Sequence, residues 1–236
     1  MKMMVAILAL TGALTSPPAL AHGEMAAAYG GQIAETADGW RIEFAVRDGG
    51  VRVWVRDHAN APVAATGKAA LLANGRKTEV TLAGGGDGLV ADAPVLAGDK
   101  VTAILSLTVA GRPVSHRFTQ EAVAAPKLAP QALAGKQVFD QVCATCHGTA
   151  LRGSDAGPPL VHPFYATGSG HGDDVILAAA TSGAKAHHWK FGDMPKPDGV
   201  PPGREKDLLA YIRAMQAANG LGGAMPSAPA GGHAGH

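Results

Sequence analysis

Near the middle of this 236-residue chain the hydrophobic pattern changes period, so no single class of secondary structure serves both halves. From about Gln32 to Phe118 apolar residues alternate. Ile42, Phe44 and Val46 are interleaved with Arg41, Glu43 and Arg47, and Val51, Val53 and Val55 with Arg52, Trp54 and Arg56. A period of two sends successive side chains to opposite faces of a strand. Asp48-Gly49-Gly50 between the two runs is a hairpin signal. Further runs lie at Ala69–Leu72, Lys77–Leu82, Val101–Val109 and Pro113–Phe118, with Asn74-Gly75 and Gly84-Gly85-Gly86 read as turns. About seven short strands with regular turns predict an all-β, immunoglobulin-like sandwich over residues 32–118, and a small barrel fits the same pattern.

Residues 119–130 lose the alternation and gain Ala and Pro, as a linker does. Beyond them the period is that of helices, and a second, all-α domain is expected over residues 131–220. Its first helix carries Leu133, Val138, Phe139 and Val142 and runs into Cys143. A second helix is expected from Asp173 to Ser182 with Gly183 as its C-cap. A third runs from Arg204 to Ala218 with Leu208, Tyr211, Ile212 and Met215 on one face. Residues 22–31 are rich in small residues and residues 221–236 in Gly and Ala, which predicts a flexible N-terminus and a disordered tail. Residues 1–21 have the plan of a signal peptide: Lys2, an apolar run from Met3 to Leu14, and Ala19-Leu20-Ala21 as cleavage site. The apolar run is shorter than the roughly 20 residues that span a bilayer, so an exported, non-membrane-spanning chain follows.

Charge narrows the partners. Lys and Arg number 20 against 19 Asp and Glu, and the two proposed domains are each balanced. A nucleic-acid partner needs a concentrated basic surface, which this balance argues against.

The chemistry is concentrated in Cys143-Ala144-Thr145-Cys146-His147. Two cysteines are too few for a disulfide scaffold, but C-x-x-C-H is the attachment pattern of haem c. Two thiols on one helical turn can each form a thioether with a haem vinyl group, and the next histidine can bind the iron. A thioredoxin-like pair should follow a strand, whereas this one ends a helix. A structural zinc site would need a second pair of ligands. For the second axial position Met194 is the candidate, set in a Gly/Pro-containing loop after the second helix. His187 and His188 are its rivals, because imidazole also binds iron. Met215 reads as core, and Met225 falls in the tail.

Gly135 and Phe139 before the cysteines, Leu208 and Tyr211 in the last helix, and Gly157-Pro158-Pro159-Leu160 have the order found in class I c-type cytochromes, which residues 131–220 resemble. The resemblance implies a crossing of first and last helices, with glycine allowing the close approach and aromatic rings filling it. It implies that the Pro158 carbonyl accepts the Nδ1–H of His147, and that Leu160 lines the haem. The block from Ala186 to Pro195 is similar to one in bacterial mono-haem cytochromes, with Trp189 either at the haem edge or in the core. The N-terminal half weakly resembles small periplasmic immunoglobulin-like β-domains.

The expected function is a periplasmic electron carrier rather than an enzyme. It holds one covalently attached haem c between His147 and Met194 and exchanges electrons with periplasmic redox proteins. One alternative is a copper-binding, metal-handling protein with an attached redox haem. After cleavage His22 would carry a free amine able to chelate Cu(II), with Met25, His233 and His236 as further donors. The other is a haem enzyme or gas sensor in which Met194 is not coordinated.

Overall fold

The computed structural model describes residues 27–222. The signal segment and the histidines and methionines at positions 22, 25, 225, 233 and 236 lie outside the described residues.

Eight strands make up the N-terminal half: β1 (Gln32–Glu35), β2 (Arg41–Arg47), β3 (Gly50–Arg56), β4 (Ala65–Ala73), β5 (Arg76–Gly85), β6 (Gly88–Asp92), β7 (Val101–Val109) and β8 (Arg112–Gln120). Every pairing is antiparallel, in the order β1-β2-β3-β6-β5-β4-β7-β8. The immunoglobulin-like expectation is not confirmed: the strands form one continuous eight-stranded sheet that closes on itself around a single core. Strand β5 is the reason. Its first part pairs with β4 as far as Leu82, and Ala83 to Gly85 pair with β6. Gly84 and Gly85 lack the side chains that would resist such a bend, so the glycine run continues the strand and only Gly86 and Asp87 turn.

The sheet rolls up far enough for Phe44 of β2 to stack on Phe118 of β8, ring centroids 5.1 Å apart. Ile42, Val53, Leu71, Leu89, Leu105 and Phe118, from six different strands, therefore share one core. The hairpin at Asp48-Gly49 closes on the register Arg47↔Gly50, with Gly49 at φ +85° as such a two-residue turn requires.

The C-terminal half begins with one unbroken helical stretch in three parts. These are α1 (Pro130–Val138), a π-helical turn (Phe139–Cys143) and α2 (Ala144–His147). Pro130 suits the first turn, where its missing N–H is not needed. After a 3₁₀ turn (Pro163–Tyr165), α3 runs from Asp173 to Ser182 and α4 from Glu205 to Ala218. Asp173 and Asp174 sit in the first turn of α3, where carboxylates favour the helix dipole. Helices α1 and α4 cross at Gly135, whose position leaves no room for a Cβ beneath the carbonyl of Asp207. Phe139 and Tyr211 meet beside the crossing, centroids 5.4 Å apart, in a core with Leu151, Leu160, Ile176 and Leu208.

The two halves are in contact. Arg52 of β3 grips Asp155 with Nη2 at 2.7 Å and Nε at 3.1 Å. Asn219, at the end of α4, exchanges hydrogen bonds with the backbone of Ala124 at 2.9 and 3.0 Å. Ala28 to Gly31, which the sequence places in a flexible lead-in, form a strap between them. The Glu43 carboxylate accepts N–H groups from Ala28, Tyr29 and Gly31 at 2.8–2.9 Å. The Tyr29 ring stacks on Trp54 at 4.3 Å, and the Ala28 carbonyl accepts the Lys190 N–H at 3.0 Å. Under this cover Glu43 and Arg47, on the face of β2 away from the sheet core, are each only 4% exposed.

Candidate cofactor site

The helical stretch through α2 ends in the two cysteines and His147. The π turn that ends on Cys143 adds a residue to the helical repeat, a distortion that often marks functional positions. Both cysteines are free thiols, half-buried. Burial, with Cys146 adding to it, raises the Cys143 thiol to about 11. A redox-active pair of the thioredoxin kind needs its attacking thiol lowered instead.

His147 is buried, and its Nδ1 lies 2.9 Å from the carbonyl oxygen of Pro158. A carbonyl can only accept, so Nδ1 carries the proton and Nε2 keeps its lone pair for a metal. Burial lowers the pKa of His147, and the bond to Pro158 opposes that by holding the proton on Nδ1. The loop that presents Pro158 is tied to the helix end. Ser154 Oγ donates to the Cys146 carbonyl at 2.7 Å, and Gly153 N–H to the His147 carbonyl at 2.8 Å. Gly157 lies so close that a Cβ there would come within 2.9 Å of the Cys146 carbonyl oxygen.

His147 and Cys143 line a cleft holding about 930 Å³ of open space, part of it continuous with solvent. Pro158, Leu160, Ile176, Leu208 and Ile212 give it apolar walls, and Met194 lines it as well. Met194 is placed by a backbone bridge: its N–H donates to the Ala184 carbonyl at 2.8 Å, and its carbonyl accepts the Ala184 N–H at 2.9 Å. Gly183 makes that bridge possible, because a Cβ there would come within 2.4 Å of the Met194 carbonyl oxygen. Asp193 closes the loop between them, accepting the Ala186 N–H at 2.9 Å and Lys185 Nζ at 2.6 Å. Those two contacts lower its pKa.

Histidine and aromatic rings crowd the mouth of the cleft. Phe164 stacks between His171 (3.8 Å) and His188 (4.1 Å). His187 Nδ1 donates to the Lys185 carbonyl at 2.9 Å, and its Nε2 meets His171 Nε2 at 3.1 Å, so both its ring nitrogens are engaged. Trp189 Nε1 donates to the Tyr165 hydroxyl at 2.8 Å and also lines the cleft. Met215 is buried in the helical core. Among the described residues no group of three or more His, Cys, Asp or Glu could hold a metal ion by itself.

His162 packs edge-on to Trp189 at 5.1 Å. Burial above all, then His188 and Arg152, holds its pKa down at about 4, against the ordinary value of 6.5. Between those two values the unfolded chain binds a proton that the folded chain refuses, so stability falls as pH drops from 6.5 towards 4. Urea midpoints measured across that window are expected to decline in the wild type and to decline less steeply in His162→Phe.

The pairing of Trp189 with Tyr165, the His171–His187 contact and the strap on Glu43 have no signature in the sequence. All three join residues at least 12 positions apart. No local pattern signals them.

The apolar slot, the imidazole with its free Nε2, the two cysteines one helical turn apart and the thioether fit a covalently attached haem. Comparison with known proteins agrees in class: residues 132–216 match the family model described as Cytochrome c, which supports a c-type cytochrome in the C-terminal half. No curated protein and no solved structure gives a match.

Proposed function

With a cytochrome c domain as premise, we propose that the protein is a periplasmic electron carrier. It would hold one haem c through Cys143 and Cys146, with His147 and Met194 as axial ligands. When bound, the haem supplies a one-electron iron couple. The chain does the rest. Pro158 holds the proton on Nδ1 of His147, which fixes the ring and increases the basicity of Nε2. The bridge from Ala184 holds the Met194 backbone beside the same cleft, and a thioether ligand raises the reduction potential. Leu160, Ile176 and Leu208 exclude water from the slot. Were His147 and Met194 both to bind the iron, no coordination site would be left for a substrate, which favours a carrier over an enzyme. Redox partner proteins would approach the open side of the cleft. No helix among the described residues is long and apolar enough to cross a membrane, which accords with an exported chain.

The observation that carries this reading is the convergence on one apolar cleft of Met194 and a buried His147 with a committed tautomer. The test is the near-infrared spectrum of the oxidised protein. A sulfur-to-iron charge-transfer band is expected, and Met194→Ala should abolish it, lower the reduction potential and open the iron to cyanide. A wild type without the band would overturn the Met194 assignment, and a high-spin wild type that binds CO readily would favour an enzyme or sensor.

A further inference from the structure

A second cavity, about 760 Å³ of open space, lies between the two halves. Its walls come from β2 (Ala45 to Arg47), the end of β8 and Glu121, the strap at Gly30 and Gly31, and from Arg152, Pro159 and His162 of the helical half. The charge is unbalanced. Arg152 is half-buried, its Nε is shielded from solvent without a hydrogen-bond partner, and no described carboxylate forms an ion pair with it. Arg47 is 4% exposed and spends Nη1 on the Arg152 carbonyl (3.3 Å) and Nη2 on the Tyr29 carbonyl (2.6 Å). Its Nε also lacks a hydrogen bond. The nearest carboxylate to it, Asp155 at 3.9 Å, is already held by Arg52. The acid on the cavity wall, Glu121, forms an exposed ion pair with Lys100 at 3.0 Å.

A half-buried guanidinium whose Nε is shielded and unpartnered has lost part of its hydration, and an anion that enters restores it through charge-assisted bonds. We propose that this cavity between the halves is a binding site for a small oxyanion, a phosphate or a small carboxylate, with Arg152 as its charge partner and Arg47 holding the Arg152 backbone in place. Because the walls belong to both halves, the bound anion would also fasten them together. The site is separate from the haem cleft and does not depend on how iron is ligated.

The test is calorimetric titration of the haem-loaded full-length protein, in an anion-poor buffer, with inorganic phosphate and separately with acetate. One saturable site for at least one of the two is expected. Arg152→Gln should weaken it tenfold or more, whereas Arg117→Gln, on an exposed part of β8, should leave it unchanged. The ligand should raise the melting temperature of the wild type and not that of Arg152→Gln. Arg152→Lys keeps the charge and loses the planar fork, so its affinity should fall between the two. If the Gln variant does not fold, the Lys variant decides, and affinity equal to wild type in it overturns the proposal. Non-saturable binding, or binding indifferent to Arg152, means an adventitious ion only and overturns it too.

Discussion

Gly135→Ala is expected to destabilise the helical half by about 3 kcal/mol or more, the upper end of what overpacking costs. A Cβ at that position would lie 1.8 Å from the Asp207 carbonyl oxygen, 2.3 Å from its carbonyl carbon and 2.8 Å from the Leu208 nitrogen. All three are backbone atoms of the α4 end, so no change of rotamer relieves the clash. The helices must separate, and the Phe139–Tyr211 contact and the packing of Leu208 loosen with them. The damage should be local. Amide exchange in α1 and α4 is expected to speed up by about a hundredfold or more, at 1.4 kcal/mol per factor of ten, while β4, β5 and β7 keep their protection. Exchange in α1 and α4 equal to wild type would contradict the close crossing.

Replacing Cys143 and Cys146 together by alanine is expected to remove covalent haem completely. Produced in a host that exports the chain and attaches haem, the wild type should keep its haem through denaturing electrophoresis, and the double variant should show none. Burial disfavours the thiolate of Cys143, and a thioether carries no charge, so the environment that would hinder a nucleophilic thiol suits an attached one. His147 should still offer Nε2 in the double variant, since its bond to Pro158 does not involve the cysteines. Any haem retained under native conditions is therefore expected to wash out on unfolding. Covalent haem surviving in the double variant would refute attachment at these thiols.

Features set by neighbours along the chain are legible in the sequence itself. Asp48-Gly49-Gly50 specifies a hairpin because few residues accept the positive φ that Gly49 adopts. Helix α3 has the expected bounds, acidic residues at its start and a left-handed Gly183 at its end. Strands β1 and β6 leave no clear signal, because four or five residues hold too few alternations to stand out. The glycine run at 84–86 reads as a turn, yet most of it is strand, because glycine serves equally a turn and a bending strand. The sheet order is hidden for a different reason. Pairing of β3 with β6 joins segments more than 30 residues apart, and alternation says which face a residue takes, not which strand lies beside it.

The same division holds at the site. That Cys143, Cys146 and His147 lie together at the end of one helical stretch follows from the sequence alone, because the geometry of a helical turn needs no tertiary partner. That Met194 reaches the cleft of His147 is decided by the Ala184 bridge and the Gly183 turn, contacts of the folded loop. The halves themselves make the point most clearly. Period two assigns Glu43 and Arg47 to the face of β2 away from the sheet core, yet both are buried there by the strap and the helical half. Local periodicity distinguishes the two faces of a strand. Only the packed structure determines what, other than water, lies against the second face.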